Sequence, residues 1–141
     1  TGLKFEYVGT TERRPLYKAP SIYGPASPAL PVVISWATAK DAPALAGDVA
    51  GYAGSSYLAD GLSRHFVTGL VVLDSDVYTR LLQTPAGSEQ ARAITMHELG
   101  HLVGLDHVAD SSELMNAKNL GLLDCGPGDL EGLAKLGQGS C

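Results

Sequence analysis

Three of the chain's four histidines crowd into the eleven-residue run His97-Glu98-Leu99-Gly100-His101-Leu102-Val103-Gly104-Leu105-Asp106-His107. No other stretch constrains the fold as tightly. Side chains four residues apart on a helix share one face, about one turn apart, so His97 and His101 can present two imidazoles to one point. Gly104 accepts the left-handed backbone that ends a helix, and the turn there brings His107 back towards the pair. Imidazole is a borderline ligand well suited to Zn²⁺. Three protein ligands leave a fourth position for water, the pattern of a catalytic zinc. Glu98 lies beside the first ligand and can reach a water on the metal without coordinating it. A structural zinc normally has four protein ligands, often cysteines, and no fourth is evident, since Asp106 is expected to point away. A plain core helix would account for Leu99, Leu102, Val103 and Leu105, but not for the histidines.

The rest of the chain reads as a frame for this helix. Ser88 is a plausible N-cap for a helix from Glu89 to about Val103, with Ile94, His97, Glu98, His101 and Leu102 at helical spacing. Val32 to Trp36 is a continuous β-branched run, read as a buried central strand. Ala42 to Gly54 reads as loop. Ser55 to Tyr57 is expected to form a strand, with a turn at Asp60-Gly61 and a return strand from His65 to Asp74. His65 reads as a polar strand residue. Leu3 to Tyr7 alternates apolar and charged residues, so a strand with Leu3, Phe5 and Tyr7 inward is expected. Gly9 to Pro31 holds five of the eight prolines and reads as a long surface loop. Pro85 to Gly87 reads as a turn. A shorter helix is expected from Asp129 to Leu136, with Asp129 as its cap, Leu130, Leu133 and Ala134 inward, and Gly137 at its end.

The 141 residues fit one domain, and 45% hydrophobic content is enough for a core. A net charge of −5 argues against nucleic-acid partners and anionic membrane surfaces, which attract basic patches. No apolar run approaches the roughly 20 residues of a membrane span. Cys125 and Cys141 are an even pair without CxxC spacing. They fit a disulfide closing a short loop, worth about 3 kcal/mol by the chain-entropy estimate, with two free thiols as the alternative. Thr1 reads as a processed or engineered start, so an extracytoplasmic location is inferred from the cysteines.

The pattern H-E-x-x-H-x-x-G-x-x-H, followed by Ser112-Glu113-Leu114-Met115, resembles the metzincin clan of zinc metallopeptidases and looks most like its matrixin-type branch. The resemblance is strongest from Glu89 to Met115. It implies an α+β, zincin-like fold, with a twisted mixed sheet packed on the active-site helix and a C-terminal helix that Asp129 to Leu136 resembles. Met115 would then lie in a Met-turn beneath the zinc, Met96 belonging to the helix. An edge strand would bind substrate in extended form, around Gly51 to Tyr57 or in its partner after Asp60-Gly61. The implied activity is that of a secreted zinc endopeptidase, with His97, His101 and His107 as metal ligands and Glu98 as general base. The rival reading is a zinc-containing binding module, or an inactive truncated domain without turnover.

Several features depart from the family. Its opening strand and long helix, ahead of the strand that Leu3 to Tyr7 resembles, have no counterpart, so residues 1–141 are expected to be a single catalytic domain that is either trimmed or reduced. His65 alone cannot supply the family's second, structural zinc site. Asp74 and Asp76 resemble part of its calcium loop without the rest of an oxygen cage, which makes Ca²⁺ the lesser cofactor expectation. Met115 is followed by Asn116-Ala117-Lys118, without the tyrosine that many relatives carry there.

Overall fold

Val71 and Leu73 project from one face of a strand and Leu70 and Val72 from the other, and all four are buried. The computed structural model describes residues 1–12, 30–60, 63–136 and 138, and the side chains of 58–60 and 63–65 also fall outside that description. The doubly buried strand is β3 (Ser63–Asp74). It is the centre of a three-stranded mixed sheet. β1 (Val33–Ala37) pairs with it in parallel, Val33 opposite Leu70. β2 (Gly51–Asp60) pairs with it antiparallel, Gly51 opposite Leu73.

Each face of β3 has its own cover. Helices α1 (Ser75–Leu81) and α2 (Gly87–Val103) lie over the Val71 and Leu73 face, where Tyr78, Ala91 and Leu102 complete the cluster. A 3-10 turn at Pro43–Leu45 covers the other face and packs the fully buried Leu45 against Leu70 and Val72. Helix α3 (Pro127–Leu136) sits near the end of α2, where Gly132 leaves room for Leu105 and Leu136 lies beside Gly104. The close approach of sheet and helix depends on Gly69. A Cβ there would strike Leu102 and lie 2.9 Å from the Gly54 carbonyl oxygen. The α+β class, with its mixed sheet packed on the long helix, is as expected.

Several local expectations are corrected. The β-branched run at Val33–Ala37 is an outer strand among the described residues, and its burial alternates, with Ile34 and Trp36 exposed. The central position belongs to β3, whose apolar run is enclosed by layers on both sides. Leu3, Phe5 and Tyr7 form no strand. They are exposed, and the described sheet offers them no pairing partner. Most of the proline-rich stretch, and the Asp60-Gly61 turn at Gly61, lie outside the described residues, as does Gly137. The hairpin that the turn implied is present, with β2 starting earlier, at Gly51.

Helix α1 was not expected. Asp74 ends β3 and caps α1, its Oδ1 accepting from the amides of Asp76 at 2.8 Å and Val77 at 2.9 Å. α2 begins at Gly87, after Ala86 in the left-handed conformation, so Ser88 is inside the helix and its hydroxyl donates to Glu89. Gly87 is required because a Cβ there would collide with the Leu81 carbonyl. On α3, Leu130 and Ala134 are exposed, and the buried position is Asp129. Replacing Asp74 with alanine orphans two amides at a partly buried helix start. Asp74→Ala is expected to lower unfolding stability by about 1–2 kcal/mol, as read from the urea midpoint at unchanged m-value.

Candidate metal centre

α2 ends where its sequence requires it to end. Gly104 has a φ of 111°, and its amide bonds back to the carbonyls of Gly100 and His101. The Leu105 amide also reaches Gly100, at 2.9 Å. This pairing closes the helix in the manner of a glycine C-cap. The chain then turns, and His107 comes to face the two histidines on α2.

The three imidazoles meet at their Nε2 atoms. His97 and His101 are 3.1 Å apart, His101 and His107 3.1 Å, and His97 and His107 3.2 Å. Tetrahedral ligation at the usual zinc–nitrogen length puts ligand nitrogens about 3.3 Å apart, so the cluster matches that requirement within a few tenths of an ångström. Among the described residues it is the one group of histidine, cysteine and carboxylate side chains close enough to hold a metal ion.

The opposite ring atoms explain the orientation. His97 Nδ1 lies 2.7 Å from the Leu114 carbonyl oxygen, and His101 Nδ1 lies 2.9 Å from that of Leu105. A carbonyl can only accept, so each Nδ1 donates its proton. In the neutral ring each Nε2 is then left with its lone pair aimed into the cluster. Burial pushes the pKa of His97 down, and the neighbouring histidines add to the effect. His107 moves the same way, mainly through desolvation. Both shifts favour the neutral, ligating form.

Glu98, next to the first histidine, is buried. It is 5% exposed, its Oε2 is buried without a hydrogen-bond partner, and desolvation pushes its pKa up to about 7. Strand β2 supplies part of this enclosure. A Cβ on Gly51 would lie 3.1 Å from Glu98 Cγ and 3.0 Å from the Val72 carbonyl oxygen. Glu98 and the three histidines line one cleft of about 470 Å³. One wall of that cleft runs from Asp48 to Ala53, and the other holds Asn116 to Leu120. Of the two expected substrate-strand candidates, Gly51 to Tyr57 lies in β2 and contributes Gly51, Tyr52 and Ala53 to the first wall, whereas β3 is paired on both sides.

Met115 is 2% exposed and lies directly under α2, where a Cβ on Gly100 would come within 2.5 Å of its sulfur. Its carbonyl accepts from the Val108 amide at 3.0 Å, which ties the methionine segment to the strand-like stretch beyond His107. Asp106 accepts from the His107 amide at 2.7 Å and does not join the nitrogen cluster. Asp74, read with Asp76 as part of a calcium loop, has its carboxylate engaged in capping α1. His65 is in β3, with its side chain outside the described residues. The expected Cys125–Cys141 disulfide is not found. Cys125 is a free, half-buried thiol, and Cys141 lies outside the described residues.

Two carboxylates near the centre were not singled out for a role there from the sequence. Asp129 was expected to be a helix cap. It sits inside α3 instead and accepts from the amides of Leu114 at 2.6 Å, Gly126 at 3.0 Å and Met115 at 3.4 Å. Glu113 accepts from the amides of Gly128 at 2.9 Å and Asp129 at 2.8 Å. The available signal was the acid three residues after Gly126, which follows the capping-box spacing. Nothing in the sequence points to the Leu114 amide as its second partner.

The nitrogen geometry generates a direct expectation. The apo protein should take up one zinc ion per chain, and His97→Ala, His101→Ala and His107→Ala should each abolish stoichiometric uptake, as measured by equilibrium dialysis with elemental analysis. Full uptake by any of the three would remove that residue from the centre.

No match was found among curated proteins or among solved structures. The family model described as matrixin matches residues 33–121, well over half of the chain. The matched span contains the sheet, the long helix, the histidine cluster and Met115. The fold and the three converging histidines agree with it, and the chain belongs to the matrixin family of zinc metallopeptidases.

Proposed function

We propose that the chain is a zinc-dependent endopeptidase, with zinc held by His97, His101 and His107. The observation that carries this reading is the buried carboxyl of Glu98 in the same cleft as three imidazoles whose Nε2 atoms converge. A structural metal site has no use for such a carboxyl. When bound, zinc supplies Lewis acidity, lowering the pKa of a water and polarising a carbonyl.

The chain's own residues then have distinct tasks. Glu98 is the general base. It removes a proton from the attacking water and delivers it to the leaving amine. Burial sets its pKa near 7, close to the value at which one group can both take and give a proton at neutral pH. A cation among the adjacent histidines draws that value down and favours the anion. His97 and His101 are held in their ligating tautomers by the Leu114 and Leu105 carbonyls. Gly51, Tyr52 and Ala53 of β2 line the cleft beside the histidines, and β2 is the segment along which an extended peptide would lie, as the family resemblance implies. Met115 gives the centre an apolar floor.

The substrates are peptides or proteins, as the family implies. No helix among the described residues is long and apolar enough to cross a membrane. Matrixin family members are generally extracellular, and the proposed export of this chain rests on that membership and not on its cysteines.

The test is cleavage of a mixed peptide library, read by mass spectrometry, with parent and Glu98→Gln proteins of equal zinc content. The parent is expected to cut, and the variant to lose about 10²–10⁴-fold in kcat/KM. Equal cutting by both would remove Glu98 from the mechanism. No cutting by a zinc-loaded parent would overturn the peptidase reading in favour of a binding module.

A further inference from the structure

Glu113 is 7% exposed and has no part in the hydrolytic chemistry above. Its two carboxylate oxygens accept separately, Oε1 from Gly128 at 2.9 Å and Oε2 from Asp129 at 2.8 Å. Both amides belong to the first turn of α3, which lacks intrahelical acceptors and favours an anion. Asp129 reciprocates, its Oδ2 accepting from the Leu114 amide at 2.6 Å. The two acids therefore cross-link the segment 113–115 to the start of α3 in both directions. The fit leaves no slack at Gly126, where a Cβ would collide with Glu113 and lie 2.5 Å from the Ser112 carbonyl oxygen.

Leu114 connects this clamp to the histidines. Its amide is held by Asp129, and its carbonyl accepts from His97 Nδ1 at 2.7 Å. We propose that Glu113 is a positioning residue of the metal centre: by anchoring residues 113–115 to the first turn of α3, it fixes the Leu114 carbonyl that orients the His97 ring. This inference rests on the reading of the three histidines as a metal site. A Gln at 113 presents an NH₂ group to one of the two amides, so a donor faces a donor. The segment then shifts, and the Leu114 carbonyl shifts with it. A purely structural cap would affect stability without affecting the ligand.

The test compares zinc affinity, by competition with a chromophoric chelator, and the visible spectrum of the Co²⁺-substituted protein. The proteins are the parent, Glu113→Gln, and Val33→Ala, which trims a buried residue on the remote strand β1. Glu113→Gln is expected to lose about tenfold in zinc affinity and to alter the Co²⁺ absorption. Val33→Ala is expected to lower the melting temperature while leaving both readouts at the parent's values. Parent-like affinity and spectrum in Glu113→Gln, or an equal loss in Val33→Ala, would overturn the proposal. A parent that takes up no zinc would overturn the histidine reading itself, and the inference with it.

Should Glu113→Gln fail to fold, amide exchange in the parent decides. Because coupling between two sites is reciprocal, zinc is expected to slow exchange at Gly128 and Asp129 about tenfold more than at Leu130. Equal slowing at all three positions would refute the link.

Discussion

Three ring nitrogens held 3.1–3.2 Å apart impose conditions on everything around them. Lone pairs at that separation repel one another unless a cation lies among them. The chain must therefore supply both the ring orientation and the confinement in advance of the ion. Orientation comes from the Leu105 and Leu114 carbonyls, which lie on the two segments that follow α2. Confinement comes from the helix, which carries two of the rings, and from the turn after Gly104 that returns the third. The helix has to stop at Gly104 for His107 to return, and it has to be bare at Gly100 for the methionine to lie close beneath it. The two glycines serve one geometric end from opposite sides.

The long helix, its stop and the histidine cluster were legible in the sequence because their chemistry fixes their spacing. Imidazoles four residues apart and a glycine three residues later leave few alternatives. The sheet was legible as a set of strands but not as an order. Periodicity says which faces of a strand are apolar, and not how many neighbours it has. Val33–Ala37 and the second half of β3 both read as largely apolar stretches, yet among the described residues β3 alone is covered on both sides. Leu3 to Tyr7 alternates as a strand should, but a strand also needs a partner. Helix α1 is too short for its period to show, and its cap, Asp74, doubles as the end of a strand.

Glu113 and Asp129 were illegible as contributors to the centre for a different reason. Their partners there are backbone amides, fourteen to sixteen residues away, and any residue type except proline presents an amide. Such contacts leave no trace in residue identity at the receiving end. They also come from a helix that starts at Pro127, beyond the span matched by the family model at 33–121. The three converging histidines therefore lie inside the segment that the family model matches, while the amides that Glu113 grips lie beyond it.

Gly51 carries a consequence of its own. Its missing side chain lets the outer strand lie against Glu98, with a virtual Cβ only 3.1 Å from Glu98 Cγ. The same contact that closes the cleft wall also dries the carboxyl. The shielding of Glu98 and the closeness of the strand that walls the cleft consequently depend on one position. A side chain at position 51 would meet the Val72 carbonyl oxygen at 3.0 Å and Glu98 Cγ at 3.1 Å, so the strand or the carboxyl arm would have to give by a few tenths of an ångström. The closeness of the cleft wall and the shielding of the carboxyl therefore meet at a single residue, and that residue is a glycine.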